Sequence, residues 1–542
     1  VSYPHTRPQS PASKRSLQAE AHRPSVRRLR EEGQPRMAGL AQHMQGTNGV
    51  IKTTGAHAVV KTLKAFGVDV IFANPGTTEM PLISALDDVD GAPRCILCAH
   101  ETVCSGAADG YARMLQKPAC TILHLGVGLA NALANLHNAK RACSPVLNLV
   151  GTMAAWHEAA DAPLESDARA LAEWCGGCDV AVGSDACGPT VEQALLGIRD
   201  FEGGESRVTT VLLPHDAQRD PLTRLRGIDP MAEDDGGFEA ALREYPPYVD
   251  HAKACAAALS RGGAALVIGG SGLFDEEAFA ALQQLEAATG CALVVQNNFS
   301  RCDRGGTRPR FRRVPYFPAA AKAFFASYKA VVCVGCKPPV AMFGYEDNIS
   351  RVVDNALELD AMDVVGALNY LAKHVVPGAP AAQVPPMARG DMDETGPLTA
   401  PVLCQVLAWL QPADAIVVDE SLTTGATYWD CSLIGGLPFT HLTLTGGAIG
   451  SGPCLAVGAA VACPHRRVVN FQADGSALYS TPALWCQSRE GLDVTTIICK
   501  NDAYRILDVE RATQGLGSGG SKSKRLTDLS GPAVDWVSLA RG

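Results

Sequence analysis

The sequence predicts an α/β protein of three domains, each a doubly wound parallel sheet with helices on both faces. The chain has 542 residues, too many for one ordinary core, because a domain holds roughly 150 residues. Apolar residues make up 47% of the chain and charged residues 19%, a balance that favours buried cores over disorder. Short apolar strands alternate with helical stretches along most of the chain, which is the order typical of parallel sheets.

The first domain is predicted over residues 48–215, where the hydrophobic period changes repeatedly between strand and helix. Its predicted helices are 56–66, 80–86, 102–115 and 129–142, and its predicted strands are 68–73, 95–99, 119–125 and 146–150. Residues 1–47 have no hydrophobic period and are rich in Arg, Ser, Pro and Gln, so we expect a disordered N-terminal extension there.

Two more domains follow, and the Pro-rich stretches 216–247 and 375–397 are interpreted as linkers. The central domain, 235–380, is predicted to be Rossmann-like, with strands at 264–269, 292–296 and 330–334 and a helix at 276–289. The third domain is predicted over 398–542, with helices at 400–410 and 481–489 and strands at 415–418, 468–473 and 495–499.

Composition argues against two classes of protein. The net charge of −9 gives no support to a nucleic-acid binder, which should carry a basic surface. No stretch offers the roughly 20 predominantly apolar residues that a membrane helix needs. Residues 118–139 are uncharged, but they include His124, Asn131, Asn135, His137 and Asn138. Polar side chains in an uncharged run indicate a buried site rather than a lipid-facing helix.

The 19 cysteines are interpreted as reduced, mostly buried thiols of an intracellular protein, since no signal-peptide pattern opens the sequence. We expect a cytoplasmic location, with an organelle as the alternative because residues 1–47 are enriched in Arg and Ser. Two CxxC pairs, Cys95/Cys98 and Cys333/Cys336, lie in strand-like runs. The pair Cys175/Cys178 is the candidate for metal binding or reactivity.

The strongest motif is Ala473-Asp474-Gly475-Ser476, which is followed 27 residues after Asp474 by Asn501. Asp474 and Asn501 each follow a predicted strand, so both emerge at the carboxyl ends of parallel strands, where α/β sheets bind ligands. A carboxylate and an amide oxygen suit a hard cation such as Mg²⁺. Gly475 and Ser476 open the next helix, where N–H groups can face phosphate. An ordinary strand-to-helix turn is the alternative.

This pattern resembles the thiamine-diphosphate (ThDP) motif, which usually begins Gly-Asp-Gly and ends Asn-Asn. Here Ala473 replaces the first Gly and Lys500 the first Asn, whereas Asp474 and Asn501 are retained. The resemblance implies ThDP and Mg²⁺ as cofactors, with the metal held by Asp474, Asn501 and the backbone carbonyl of Ala503.

A second motif of the same family is His100-Glu101, which ends a predicted strand and opens the helix 102–115. In ThDP enzymes a glutamate at this position bonds the aminopyrimidine ring and thereby helps the thiazolium C2 to lose its proton. The resemblance implies that Glu101 is catalytic. Taken alone, a glutamate in a first helical turn is also favoured by the helix dipole.

A glycine-rich run supplies the third resemblance. Gly447-Ala448-Ile449-Gly450-Ser451-Gly452 is similar to the segment that holds ThDP in a V shape. The resemblance implies that the Gly447 carbonyl accepts from the 4′-amino group and that Ile449 lies between the two rings. Glu420-Ser421-Leu422-Thr423 is similar to the loop beside the diphosphate, with Thr423 as a hydroxyl donor.

The chain from about residue 48 to residue 501 resembles the acetolactate synthase and benzoylformate decarboxylase superfamily. His124 and Thr77 fall where benzoylformate decarboxylase carries an active-site histidine and serine, whereas the general look of the chain is that of acetolactate-synthase-like proteins. For His124, a satisfied core histidine is the alternative. The resemblance implies a 2-oxo acid substrate that is decarboxylated or joined to a second carbonyl compound.

The resemblance also implies a homodimer or homotetramer, in which Glu101 of one subunit reaches the cofactor held by another. The main alternative is a catalytically inactive paralogue with a binding or regulatory role, motivated by Ala473, Lys500 and residues 452–454. FAD is a weaker alternative, because acetolactate synthases bind it in the central domain and Gly269-Gly270-Ser271-Gly272 hints at a phosphate turn.

Two further expectations concern charge and length. The basic stretch 301–313 is interpreted as a solvated surface, with contact to a substrate carboxylate as the alternative. Only 41 residues follow Asn501, fewer than in the resembling family, so the third domain is expected to be C-terminally truncated. Such a truncation would leave the last strand with an unpaired edge.

Overall fold

The computed structural model describes residues 53–199, 206–224, 246–345, 349–359, 363–375, 396–434 and 436–542. The extension predicted at 1–47 and most of both predicted linkers lie outside these ranges. Across the described ranges, no helix combines the length and the apolar character that crossing a membrane requires.

The part of the chain predicted to be the first domain contains six strands: β1 (Val70–Asn74), β2 (Arg94–Leu97), β3 (Ala119–His124), β4 (Val146–Thr152), β5 (Gly177–Val180) and β6 (Val208–Pro214). They form one parallel sheet in the order β2-β1-β3-β4-β6-β5. Its helices are α1 (Gly55–Ala65), α2 (Met80–Asp88), α3 (Glu101–Leu115), α4 (Leu125–Arg141), α5 (Ala168–Cys175), α6 (Ser184–Arg199) and α7 (His215–Arg219). Separate apolar clusters cover the two faces of the sheet.

The central sheet is smaller. The strands in this part of the chain are β7 (Ala264–Ile268), β8 (Ala292–Val295), β9 (Arg301–Arg304), β10 (Arg312–Arg313), β11 (Ala330–Val334) and β12 (Ala356–Leu359). All except β9 form a parallel sheet in the order β10-β8-β7-β11-β12. The helices are α8 (Pro246–Ser260), α9 (Glu276–Thr289), α10 (Pro318–Ala326) and α11 (Val364–Val375).

The third sheet consists of β13 (Ala415–Glu420), β14 (Phe439–Thr443), β15 (Val468–Ala473) and β16 (Val494–Cys499), joined by β9. Its order is β16-β15-β13-β14-β9, and only β9 is antiparallel to its neighbour. The helices are α12 (Ala400–Leu410), α13 (Tyr428–Ile434), α14 (Gly452–Ala462), α15 (Asp474–Ala477), α16 (Pro482–Arg489), α17 (Arg505–Thr513), α18 (Ser521–Arg525) and α19 (Trp536–Arg541). The predicted fold class of three parallel α/β sheets is confirmed.

The prediction that residues 301–313 form a solvated surface is wrong for Arg304. Arg304 on β9 is buried, and its guanidinium stacks 3.3 Å from the ring centroid of Trp429. It donates to the Trp429 carbonyl at 2.8 Å and to the Ser432 hydroxyl at 2.9 Å. These partners offset the cost of removing the charge from water, so a segment from the central part of the chain is anchored to the third sheet.

Helix α3 packs tightly against α14, which belongs to the third domain. Glycines allow the approach: a Cβ at Gly106 would lie 2.4 Å from the Cβ of Cys454, and one at Gly110 would lie 2.3 Å from the Leu455 carbonyl oxygen. Larger residues at either position would force the helices apart. The helix that begins with Glu101 is therefore held against the third domain of the same chain.

The pair Cys175/Cys178 does not show the features of a reactive or metal-binding pair. Cys175 ends α5, Cys178 lies in β5, and both thiols are free. Burial raises the pKa of Cys175 to about 11 and also raises the pKa of Cys178, which disfavours the thiolate. Within the described ranges, no group of three or more His, Cys, Asp or Glu side chains is arranged to hold a metal ion.

Candidate functional site

A pocket lies at the carboxyl ends of three neighbouring strands of the third sheet, β13, β15 and β16. We call it the third-sheet pocket. Six of the residues predicted to bind cofactor or metal line it, and they come from all three strand ends: Thr423, Asp474, Gly475, Ser476, Asn501 and Ala503. The sequence separates the outermost two by 80 positions, and the parallel sheet brings them together.

Asp474 is buried and organises one wall of the third-sheet pocket. Its Oδ1 accepts from the Gly475 N–H at 2.9 Å, and its Oδ2 accepts from the N–H groups of Asn501 at 3.0 Å and Asp502 at 2.7 Å. The carboxylate thus joins the end of β15 to the end of β16. Lys500, which departs from the family motif, pairs with Asp502 at 2.5 Å.

The pocket residues fit a metal-bound diphosphate. Ser476 Oγ is buried and, within the described part of the chain, has no hydrogen-bond partner, which makes it a donor available to a ligand. At Gly475 an added Cβ would lie 2.6 Å from the Tyr504 ring, so the backbone of Gly475 passes close to this ring and leaves no room for a side chain. Carboxylate, amide and carbonyl oxygens from Asp474, Asn501 and Ala503 are ligand types that Mg²⁺ accepts.

The glycine-rich segment, residues 446–452, follows β14 at the same edge of the third sheet. Gly447 and Gly450 have φ values of +82° and +88°, a left-handed conformation that glycine adopts without steric cost. Ile449 lies between them and is partly exposed. Gly447 and Ile449 are not among the residues that line the third-sheet pocket.

Glu420, at the end of β13, is a buried carboxylate that holds this segment. Its two oxygens accept from the Gly450 N–H and the Gly452 N–H, each at 2.6 Å, and from the Gln472 side chain at 3.0 Å. Burial raises the pKa of Glu420 to about 7, although these hydrogen bonds oppose the rise. The motif Glu420-Ser421-Leu422-Thr423 predicts a role for Thr423 but does not indicate these contacts of Glu420.

The raised pKa of Glu420 predicts a specific pH dependence of stability. The Glu420 carboxyl group holds its proton more tightly in the folded protein than in the unfolded chain. The contribution of this protonation to the free energy of unfolding is therefore complete below pH 4.5 and is lost as the pH rises to about 7. Relative to Glu420→Gln, the wild-type free energy of unfolding should fall by roughly 3 kcal/mol over that window. Urea unfolding of both proteins across the range measures this, and a constant difference would contradict it.

A second group of predicted residues lies at the carboxyl ends of three adjacent strands of the first sheet. Thr77 follows β1, Glu101 follows β2 and His124 ends β3, and the sheet order places β1 between the other two. We call this group the first-sheet site. Within one chain none of the three lines the third-sheet pocket.

Glu101 is the first residue of α3 and is buried. Its Oε2 accepts from the Asn131 side chain at 3.0 Å. A Cβ at Gly128 would lie 3.0 Å from Glu101 Oε1, so the absence of a side chain there leaves room for the carboxylate. Helix α4 therefore sets the position of the Glu101 carboxylate.

His124 is oriented by a buried glutamate that the sequence analysis did not single out. His124 Nδ1 lies 2.8 Å from Glu79 Oε2, and Thr78 Oγ1, rather than Thr77, lies 3.3 Å from the same nitrogen. Glu79 also accepts from the Gly76 N–H at 2.7 Å, whereas Thr77 is exposed. Because Glu79 occupies Nδ1 of His124, Nε2 is the ring nitrogen that remains available to a substrate.

Backbone strain is found beside both groups. Leu125 follows His124 with φ 57°, Leu422 follows Ser421 with φ 51°, and Asp502 follows Asn501 with φ 54°. Non-glycine residues in this region are uncommon and cluster at functional sites. Each lies within three residues of the carboxyl end of a strand.

The chain is similar to known proteins in sequence and in fold. The family description "Thiamine pyrophosphate enzyme, N-terminal TPP binding domain" matches residues 53–171, and "Thiamine pyrophosphate enzyme, C-terminal TPP binding domain" matches residues 435–542. These two ranges contain the first-sheet site and the residues of the third-sheet pocket that follow β15 and β16.

Two relatives span most of the chain. "Putative acetolactate synthase large subunit IlvX" of Mycobacterium tuberculosis is 39% identical over 506 residues, which is 90% of this chain and 92% of the relative. Benzoylformate decarboxylase of Pseudomonas aeruginosa is 27% identical over 512 residues, with coverage of 90% and 92%. The solved Rhodococcus jostii thiamine diphosphate-dependent 4-hydroxybenzoylformate decarboxylase shares the fold, with a TM-score of 0.72 at 23% identity and coverage of 90% and 93%.

The three sheets and these matches define the class as that of thiamine-diphosphate-dependent enzymes. The chain belongs to the family within this class that includes acetolactate synthase large subunits and benzoylformate decarboxylases.

Proposed function

We propose that this protein converts a 2-oxo acid with ThDP and Mg²⁺, by decarboxylation, by joining the product carbon to a second carbonyl compound, or by both. The observation that carries the proposal is the pairing of two half-sites. The third-sheet pocket offers oxygen ligands and hydroxyl donors for a metal diphosphate, and the first-sheet site offers a carboxylate and an imidazole for proton transfer.

Each pocket residue has a distinct role in this proposal. Asp474, Asn501 and the Ala503 carbonyl hold Mg²⁺, while Ser476 and Thr423 donate to the diphosphate, and the backbone at Gly475 permits its close approach. When bound, ThDP supplies the electron sink for breaking the bond between the carbonyl carbon and the carboxylate. The chain itself contributes binding, orientation and proton transfer.

Glu101 exchanges a proton with the aminopyrimidine ring, and the Asn131 amide keeps its carboxylate in place for this. His124 is oriented by Glu79, with Thr77 on the adjacent strand end. In its doubly protonated form, His124 donates from Nε2 to the substrate carbonyl oxygen and then gives that proton to the carbon that lost the carboxylate, and solvent returns a proton to Nε2. The products of decarboxylation are then CO₂ and an aldehyde.

Replacing His124 by Ala should separate the two proton transfers. Product formation should fall by about 10²–10⁴-fold, the usual contribution of a positioned acid or base, while proton exchange at C2 of ThDP continues. Glu79→Gln serves as a companion, because it keeps the size of the partner but removes its charge and should give a smaller loss. Equal loss of both steps in the His124→Ala protein would show that His124 is a packing residue.

We also propose that two subunits complete each active site in a homodimer or homotetramer, because in the described part of one chain Thr77, Glu101 and His124 are not among the residues that line the third-sheet pocket. Mixing Glu101→Gln with Asp474→Ala tests this. If the half-sites come from different subunits, hybrid dimers contain one site with neither substitution, and activity returns on mixing. If both half-sites come from one subunit, every site keeps one substitution and activity stays absent.

The function as a whole is tested by native mass spectrometry for bound ThDP and by CO₂ release from a panel of aliphatic and aromatic 2-oxo acids. ThDP binding with CO₂ release supports the proposal, and the best substrate defines the acid. ThDP binding without turnover of any acid favours the inactive paralogue, for which the substitutions Ala473 and Lys500 are the motivation. We keep FAD binding by the central domain and an intracellular location as further proposals.

A further inference from the structure

The glycine-rich segment is held at two places by groups from different domains. Glu420 of the third domain binds the N–H groups of Gly450 and Gly452. The other anchor lies at Gly446 and Ala448 and belongs to the first domain. Gly447 lies within this second anchor and Ile449 lies between the two, so their positions depend on both.

The second anchor is Asn138, in the last turns of α4, and its side chain is fully buried. Asn138 Oδ1 accepts from the N–H groups of Gly446 and Ala448, both at 3.2 Å, and its Nδ2 donates to the Ala448 carbonyl at 2.8 Å. The Asn138 carbonyl accepts from the Thr445 hydroxyl at 2.7 Å. Four hydrogen bonds therefore join one residue of the first domain to residues 445–448.

Arg113 of α3 adds hydrogen bonds to the residues just before the glycine-rich segment. It is buried, forms an ion pair with Asp109 at 2.6 Å, and donates to the Thr443 carbonyl at 2.7 Å and the Thr445 hydroxyl at 2.9 Å. Thr445 is thus held by both Arg113 and Asn138. Thr443 and Thr445, which precede the glycine-rich segment in the chain, are therefore hydrogen-bonded to residues of the first domain.

We propose that Asn138 is a positioning residue for the bound cofactor: it fixes the backbone of residues 446–448, and through it the Gly447 carbonyl and Ile449. This inference rests on the proposed function, because these two groups face ThDP only if ThDP binds. Among small polar side chains an amide is required here, since one group must accept from two N–H donors and donate to a carbonyl. Aspartate retains the acceptor but puts an oxygen against the Ala448 carbonyl, and alanine loses every side-chain bond.

The test compares full-length wild type, Asn138→Ala and Asn138→Asp by amide hydrogen exchange with and without ThDP and Mg²⁺. In Asn138→Ala, exchange in residues 445–452 should accelerate on the order of tenfold or more without cofactor, and ThDP affinity should fall on the order of tenfold. Asn138→Asp should lie between wild type and Asn138→Ala. At saturating ThDP, the near-ultraviolet circular dichroism of the bound cofactor should still differ from wild type, because its geometry has changed.

Asn148→Ala is the matched control. Asn148 is equally buried in the same domain, but it bonds Thr121 and Thr210 inside the sheet. It should lower overall stability while leaving exchange in 445–452 and the cofactor dichroism unchanged. Unchanged exchange in Asn138→Ala, or the same change in Asn148→Ala, would overturn the inference. Failure of the proposed function would show separately, as a wild-type protein that binds no ThDP.

Discussion

Asp474→Ala is expected to abolish the joint binding of ThDP and Mg²⁺. The substitution removes the one carboxylate predicted to hold the metal and also the acceptor for the N–H groups of Gly475, Asn501 and Asp502. Loss of a residue that merely supports a metal ligand typically costs 10–100-fold in affinity, so loss of the ligand itself should cost more than about 100-fold. Titration calorimetry of ThDP, with and without Mg²⁺, measures the loss.

Two companion variants separate metal binding from loop structure. Asn501→Asp keeps an oxygen that can accept from the Ala503 N–H and should retain Mg²⁺-dependent ThDP binding. Asp502→Asn removes a neighbouring carboxylate that pairs with Lys500, and it should bind ThDP as the wild type does. Asparagine is chosen there because it tolerates the positive φ of position 502. Undiminished ThDP binding by Asp474→Ala would refute the metal site.

Glu101→Gln is expected to retain the fold and ThDP binding while slowing proton exchange at C2 of the cofactor by about 10²–10⁴-fold. The glutamine oxygen can still accept from the Asn131 amide, so the first turn of α3 should keep its structure. The residues predicted to hold the diphosphate lie on the other sheet and are unaffected. What is lost is the ability to exchange a proton with a ring nitrogen.

Deuterium exchange at C2 followed by NMR in the quenched protein measures this step, and calorimetry on the same samples verifies that ThDP is bound. Asn131→Ala provides a graded comparison, because it leaves the carboxylate but removes its hydrogen bond. It should slow exchange less than Glu101→Gln does. Exchange at the wild-type rate in a ThDP-loaded Glu101→Gln protein would exclude a catalytic role for Glu101.

The fold class and the main candidate residues could be predicted from the sequence alone. Strand and helix differ in hydrophobic period, and parallel sheets present the residues that follow their strands along one edge. For that reason Asp474 and Asn501 could be predicted to share a site, and both line one pocket together with Thr423, which only the family resemblance indicated. The motif around Glu101 was recognisable because a short local pattern carries it.

The side chains that support these residues could be identified only from the three-dimensional structure. Glu79, Glu420, Asn131 and Asn138 act through partners that are distant in sequence, up to 310 positions in the case of Asn138. No local pattern encodes such a pair. The polar residues of 118–139 indicated only a buried site, and among them Asn135 and Asn138 are buried whereas Asn131 is exposed. The same reason explains the error at Arg304, whose partners Trp429 and Ser432 lie more than a hundred residues away. A charged or amide side chain can be buried where it finds hydrogen-bond partners, and the packing of the domains brings those partners to it.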